Sequence, residues 1–524
     1  MAQPKVYYEY LKYNDADLFT VVCLPQEEGV FPTVIYRNPY ADAAVQQTEE
    51  EVCRSEAEGF APWLEQGYAV VYQHCRGRGK SSGHCIPYIH EREDGLFLQD
   101  WIRTRPFYNG ELYLCGASYT SSVHFVTSPF APDIKGAVLE VQDCERYNCN
   151  YRNGFYKSGL HGAWYVSMYK RNSIPKRQKH FTPNTYHMLP LSDFTKTVFN
   201  EEAEDFNEIL KHPKREDPFW TTRFGGGEAH DAIKHADIPI LLVTGFYDIY
   251  TGGVFDMWNT LDEKTKAKCA LAVHPFDHGG SGKHEPVRFE NGVLKEYAPQ
   301  YAVRWINAVR GLEKPPFAAG KVTYYALFEN QWRCDDFKEV QQFLTLPLGS
   351  GEETYRYNPY DPASFKGGLS ANFEGNEWQD PPNSRHDIIS IYTPEFKKDT
   401  FIKGKMRATL KVRSTCEDTC FYMRISLAKP EGDYGLRDDI NQISNFNADY
   451  RPGEEIEMEF SFDEHAFLIQ KGEKLRIDIS SSADPHYVRH TNNKGLFSAQ
   501  TTIKIADNTV ILDQSSLTLP IDQK

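Results

Sequence analysis

The 524-residue sequence has no uninterrupted apolar run of about twenty residues, the length a membrane-crossing helix needs, so no transmembrane helix is expected. Its opening, MAQPKVYYEYLKYND, lacks both an apolar core of signal-peptide length and a cleavage pattern. Basic clusters are missing too. Lys+Arg 58 against Asp+Glu 73 leaves a formal charge of −15, which disfavours nucleic acid and anionic membranes as partners. The 11 cysteines form no zinc-like CxxC pair; Cys144 with Cys149, and Cys416 with Cys420, are close but wrongly spaced. His74, Cys75, His84 and Cys85 flank the Gly-rich CRGRGKSSGHC and read as loop histidines and reduced thiols rather than a metal site. No repeat or low-complexity tract stands out. These absences imply a reducing, cytoplasmic protein, with no metal and no cofactor.

The length calls for more than one core. Hydrophobic residues at 40% and charged residues at 25% are ordinary for a globular chain, whereas aromatics at 14% are high. Strand-like runs FPTVIYRNP (31–39), GYAVVYQHC (67–75), LYLCG (112–116) and GAVLEVQD (136–143) alternate with helical segments such as EDGLFLQDWIRTR (93–105). That rhythm predicts a mostly parallel sheet covered on both faces, an α/β fold. It breaks near residue 144. Residues 144–236 read as a polar, aromatic helical insertion with RFGGGEAH (223–230) as a flexible exit. The rhythm returns with IPILLVTGFYD (238–248), the helix GGVFDMWNTL, the strand KCALAVHP (268–275) and an amphipathic helix over 301–312. From KVTYYALF (321–328) onward, alternating runs predict a β-sandwich. The expected domains are 1–143 with 237–317, the insertion 144–236, and 318–524.

In LYLCGASYTSS, Ser118 stands between a strand and a helix, as either a helix N-cap or a nucleophile held clear of the backbone. In an open parallel sheet, catalytic groups lie just beyond the C-terminal strand ends. Asp248 closes IPILLVTGFYD, and His278 follows KCALAVHP within HPFDH. One helix and one strand take about thirty residues, so both would emerge side by side. The order Ser118…Asp248…His278 is that of α/β-hydrolases. In that arrangement His278 takes the serine proton and Asp248 holds the imidazole. His274, His284 and Asp277 are local rivals.

At these residues the sequence resembles the cocaine esterase / X-prolyl dipeptidyl-peptidase (CocE/NonD) group of serine α/β-hydrolases, which includes glutaryl acylases and α-amino acid ester hydrolases. GASYTS (Gly116–Ser121) resembles its Gly-x-Ser-Tyr-x-Gly motif and RNPY (Arg37–Tyr40) its Arg-x-Pro-Tyr motif. QHCRGRGKSSG (73–83), GFYD (245–248), HPFDH (274–278) and DPFW (217–220) resemble further family motifs. Ser121, His74, His274 and Phe276 depart from them. The resemblance covers nearly the whole chain and implies an α/β-hydrolase domain with an inserted helical cap and a C-terminal jelly-roll-like sandwich. It further implies an oxyanion hole made of the Tyr40 hydroxyl and the Tyr119 backbone N–H.

Family members that select a free amine use carboxylates near the triad, some just after the catalytic Asp. Here Ile249, Tyr250 and Thr251 follow Asp248. The expected substrate is therefore a small-molecule carboxylic ester with a bulky or aromatic group, the alternative being X-Pro dipeptides or other amides. Tyr250, Trp164, Tyr165 and Tyr156 are the candidate pocket walls. A carbohydrate-binding role with a dead hydrolase domain is a third reading, and the sequence leaves a homo-oligomer open.

Overall fold

Leu112 and Leu114 are buried in one apolar cluster, Tyr113 and Cys115 in another. A strand apolar at every position must be covered on both faces, because successive side chains point opposite ways. The computed structural model describes residues 3–127, 131–169, 183–222, 226–280, 287–368, 375 and 377–523. Its 10-stranded sheet runs in the order Lys5–Tyr13, Ala16–Leu24, Ala69–His74, Phe31–Asn38, Tyr108–Ala117, Ile134–Glu140, Ile240–Gly245, Ala270–His274, Val322–Ala326, Gln331–Asp335. Every neighbouring pair from Ala69–His74 to Val322–Ala326 is parallel. The fold is an α/β-hydrolase sheet, with helices Glu91–Arg103, Thr251–Thr260 and Tyr301–Val309 among those that cover it.

The structure adds to the sequence reading at one place and departs from it at two. The opening residues form an antiparallel hairpin, Lys5–Tyr13 with Ala16–Leu24, that turns at Asn14 with φ 55°. The sandwich boundary expected at 318 falls inside the sheet. Val322–Ala326 pairs parallel with Ala270–His274, and Gln331–Asp335 closes the edge. Val322, Tyr324, Tyr325 and Ala326 are fully buried, so the run is covered on both faces like a central strand of a parallel sheet rather than alternating as a sandwich strand does. The sandwich itself starts with Gln342–Pro347 and comprises a 7-stranded and a 4-stranded sheet.

The second departure lies in the insertion. Its helices, among them Ala163–Met168 and Glu204–Lys211, enclose an aromatic core. It also carries a two-stranded hairpin, Tyr151–Arg152 with Phe155–Tyr156. Asn153 and Gly154 make its turn with φ 49° and 90°, the Asn-Gly signature of a tight hairpin. The exit read as flexible becomes the helix Gly227–Lys234; its residues 223–225 lie outside the described residues.

Candidate active site

Ser118 has φ 56° and ψ −135°, a left-handed conformation that costs a non-glycine residue of order 1–3 kcal/mol. Its side chain makes no capping hydrogen bond to the helix Tyr119–Phe125 that follows. The turn is tight because a Cβ on Gly116 would lie 2.1 Å from the Thr120 carbonyl oxygen. It is pinned by Ser118 N–H to Glu140 O at 2.9 Å and Ala117 N–H to Thr120 Oγ1 at 2.6 Å. The backbone thus lifts Oγ off the sheet.

The strands before Asp248 and His278 are parallel neighbours, with His274 opposite Gly245. Beyond them the loops remain zipped: Phe246 N–H donates to His274 O at 2.8 Å and Tyr247 N–H to Phe276 O at 3.1 Å. This brings the three residues together. His278 Nε2 is 2.9 Å from Ser118 Oγ, and His278 Nδ1 is 3.1 Å from Asp248 Oδ1. Asp248 is fully buried; its Oδ1 also accepts the Tyr250 N–H at 3.0 Å, and its Oδ2 accepts the Thr244 hydroxyl at 3.4 Å.

The rivals lie elsewhere. His274 is buried with its Nδ1 accepting the Phe276 N–H at 3.2 Å, and burial lowers its pKa to about 4. Asp277 accepts the Gly279 N–H at 2.9 Å, and burial raises its pKa. His284 lies outside the described residues.

The Tyr40 hydroxyl is 3.3 Å from Ser118 Oγ and accepts from Trp164 Nε1 at 3.3 Å. The Tyr119 backbone N–H also points at this hydroxyl. Tyr40 exposes 38% of its surface, yet its hydroxyl sits among packed atoms, and burial raises its pKa. Asn38 Oδ1 fixes the Tyr40 backbone by accepting its N–H at 2.7 Å. Arg37 of the same motif is buried and donates to Glu91 O at 2.8 Å and Gln73 Oε1 at 3.1 Å. These bonds set the angle at which the RNPY turn leaves the sheet.

Tyr250 and Trp164 face the triad: the Tyr250 ring lies 5.6 Å from His278, edge to face, and Trp164 reaches Tyr40. Tyr156 and Tyr165 do not join them. Both are fully buried in the insertion's own core, Tyr165 bonding Asp205 and Tyr156 packing on Tyr151 and Phe206. Adjacent helix positions point about 100° apart, so a helix that turns Trp164 to the crevice turns Tyr165 away.

Sequence reasoning missed Tyr88, which packs 4.5 Å from Tyr119 and lies under the Arg146 guanidinium at 5.0 Å. It also missed Glu91, the acceptor of the Tyr119 hydroxyl at 2.5 Å, and Cys149, which bonds Tyr250. Tyr88, Glu91, Ser122, Asp143, Arg146 and Cys149 line a cavity beside the nucleophile helix. Burial raises the Asp143 pKa to about 7. None of these residues carries a motif; only the folded chain gathers them. Among the described residues no group of three or more His, Cys, Asp or Glu could hold a metal ion.

A half-buried serine on a strained strand-to-helix turn of a mixed α/β sheet defines a serine hydrolase of the α/β class. The chain belongs to the X-Pro dipeptidyl-peptidase (S15) family: residues 15–280 match that family's model. Residues 311–516 match the X-Pro dipeptidyl-peptidase C-terminal non-catalytic domain. Cocaine esterase of Rhodococcus sp. (strain MB1 Bresler) is 21% identical, over 91% of this chain and 90% of its own length. The fold is shared with an α-amino acid ester hydrolase (TM-score 0.82, 17% identity, 99% of this chain and 97% of that one). It is shared as well with an aminopeptidase from a marine sediment archaeon, Thaumarchaeota archaeon (0.80, 15%, 99% and 97%). A CocE/NonD family hydrolase of Staphylococcus aureus has the same architecture (0.65, 15%, 98% and 93%).

Proposed function

We propose that this enzyme hydrolyses carboxylic esters with a bulky or aromatic acyl or alcohol group, through an acyl-enzyme on Ser118. The Ser118–His278–Asp248 relay, with its 2.9 and 3.1 Å contacts, carries this reading. His278 Nε2 accepts the hydroxyl proton as Ser118 Oγ attacks the carbonyl carbon, then gives it to the leaving alcohol oxygen. Buried Asp248 keeps Nδ1 protonated and offsets the imidazolium charge. Water next attacks the acyl carbon by the same proton route, and the acid leaves. The Tyr40 hydroxyl and the Tyr119 N–H are the oxyanion donors. At rest the N–H bonds to the Tyr40 oxygen; a tetrahedral oxyanion takes over both donors, and each such donor contributes about 3–4 kcal/mol.

An ester is favoured by the aromatic walls Tyr250, Trp164 and Tyr88, and by the lack of an acid in the three residues after Asp248. The similarity to a cocaine esterase points the same way. One observation favours cleavage of X-Pro dipeptides or other amides by the same groups. Glu91 and Asp143 line the cavity beside the nucleophile helix, where a substrate amine could be held.

The test compares wild type with Ser118→Ala on an aromatic-acid aryl ester and a Gly-Pro anilide. Ester turnover that disappears in the variant, with the anilide uncut, is the expected result. Efficient anilide cleavage would move the assignment to a peptidase and direct attention to Glu91 and Asp143.

A further inference from the structure

Arg437 belongs to the sandwich strand Gly432–Gln442, yet it is 1% exposed and reaches into the hydrolase domain. One Nη donates to the carbonyl of Phe246, two residues before Asp248. The other Nη donates to Glu464 O at 2.5 Å, and Nε to Asp463 O at 3.2 Å. The guanidinium lies 6.0 Å over the Tyr247 ring. Tyr247 also meets Tyr434 and His465 of the sandwich at 5.9 and 5.4 Å, and Phe246 meets His465 at 5.3 Å. A buried arginine is costly to desolvate, and here it spends its planar fork on backbone carbonyls that fix one loop.

The same place ties in the cap. Arg152, on the insertion's hairpin, pairs with Asp439 at 2.7 Å and Asp463 at 2.8 Å, and donates to Ser461 O at 2.6 Å. A Cβ on Gly252 would stand 2.7 Å from the Asp463 carboxylate. Asp463 therefore sits against the first turn of Thr251–Thr260, the helix that leaves the Asp248 loop. Lys405 and Glu464 complete the charged surroundings, 3.4 Å apart.

We propose that Arg437, reaching in from the C-terminal domain, is a positioning residue for Asp248. This rests on the reading of Ser118, His278 and Asp248 as the catalytic relay. Phe246 is gripped on two sides: its N–H bonds His274 O and its carbonyl bonds Arg437. Arg437 thus adds a support from the sandwich to those the Asp248 loop already has from Tyr250, Thr244 and Phe276. Arg437 touches no reacting atom; it acts through Asp248 on His278.

The test measures ester turnover of the full chain as wild type, Asp248→Asn, Arg437→Met and Arg437→Lys, with active sites counted by a fluorophosphonate. For Arg437→Met, kcat per active site should fall about 10–100-fold, the scale of an ångström-size misplacement, while KM moves less than about threefold. A displaced carboxylate supports the imidazolium less, so the acid-limb midpoint of kcat/KM should move down by about half a unit or more. Arg437→Lys keeps the charge without the fork and should lie between. An unchanged kcat and midpoint in either Arg437 variant, alongside a dead Asp248→Asn, would overturn this inference and leave the relay intact. A fully active Asp248→Asn would overturn the relay itself. If Arg437→Met does not fold, Arg437→Lys decides; if that also fails to fold, Arg437 is a stabilising group of the sandwich and the inference falls.

Discussion

On the sheet side of the active-site crevice, Ser118, Asp248 and His278 are fixed by main-chain hydrogen bonds between neighbouring strand ends. On the cap side, Trp164 and Arg146 are held by side-chain contacts, Trp164 by the rings of Tyr88 and Tyr119 and its bond to the Tyr40 hydroxyl, Arg146 by the Tyr88 ring. The first kind of support is set by register and tolerates little drift. The second is set by shape and can be refilled with other side chains. On the proposed function chemistry belongs to one wall and selectivity to the other, so variants should separate kcat from substrate choice according to the wall they touch.

The largest effects belong to the sheet side. Ser118→Ala or His278→Ala should lower kcat by about 10⁶-fold, and Asp248→Asn by about 10⁴-fold, because a relay works as a unit. Steady-state kinetics on the aryl ester measure both; a loss under tenfold in Ser118→Ala would break the division between the walls. Tyr40→Phe, which removes one oxyanion donor, should cost about 10²–10³ in kcat with KM little changed. An equal loss in KM instead would make Tyr40 a substrate-binding group.

On the cap side, Trp164→Ala should alter the ratio of kcat/KM between aryl and small alkyl esters by about 10–100-fold, more than it alters kcat on the better ester. Tyr165→Phe, one position along, should leave that ratio unchanged and lower the melting temperature, since its buried hydroxyl bonds half-buried Asp205. A selectivity change in Tyr165→Phe equal to that of Trp164→Ala would erase the distinction between the crevice and the cap core.

The smallest effect tests how dry that core is. His161 is 2% exposed and packs on Trp164 at 5.0 Å, and among the described residues neither ring nitrogen has a hydrogen-bond partner. Burial lowers its pKa from 6.5 to about 3. Its folded pKa lies below its unfolded one. The native state is therefore favoured above pH 6.5 and loses about 1.4 kcal/mol per pH unit as pH falls toward 3. Urea unfolding of His161→Phe should accordingly lose about 2 kcal/mol less than wild type between pH 7 and pH 5. Identical losses would mean that water reaches the ring.

The sequence exposed the sheet side because strand ends, turn glycines and chain order are local signals. LYLCGAS and IPILLVTGFYD each carry an apolar strand run that leads into the candidate residue, Ser118 or Asp248. Tyr88 and Cys149 carry no such signal: they meet Tyr119 and Tyr250 across 31 and 101 residues, by packing alone. Tyr156 and Trp164 looked equivalent in sequence, and only the direction of each side chain separates core from crevice. The YRNGFY hairpin was readable from its Asn-Gly pair; its partner Asp439, 287 residues later, was not. Likewise Val322–Ala326 adjoins the sandwich strands in sequence, and its pairing with Ala270–His274 is what places it in the hydrolase sheet.

The most direct test of the central claim is peptide mapping by mass spectrometry after treatment with a fluorophosphonate, on wild type and on His278→Ala. A single adduct should form on Ser118, rapidly in wild type and at least about a thousandfold more slowly without His278. Labelling at any other serine with parallel loss of ester turnover, or undiminished labelling of Ser118 in His278→Ala, would contradict it.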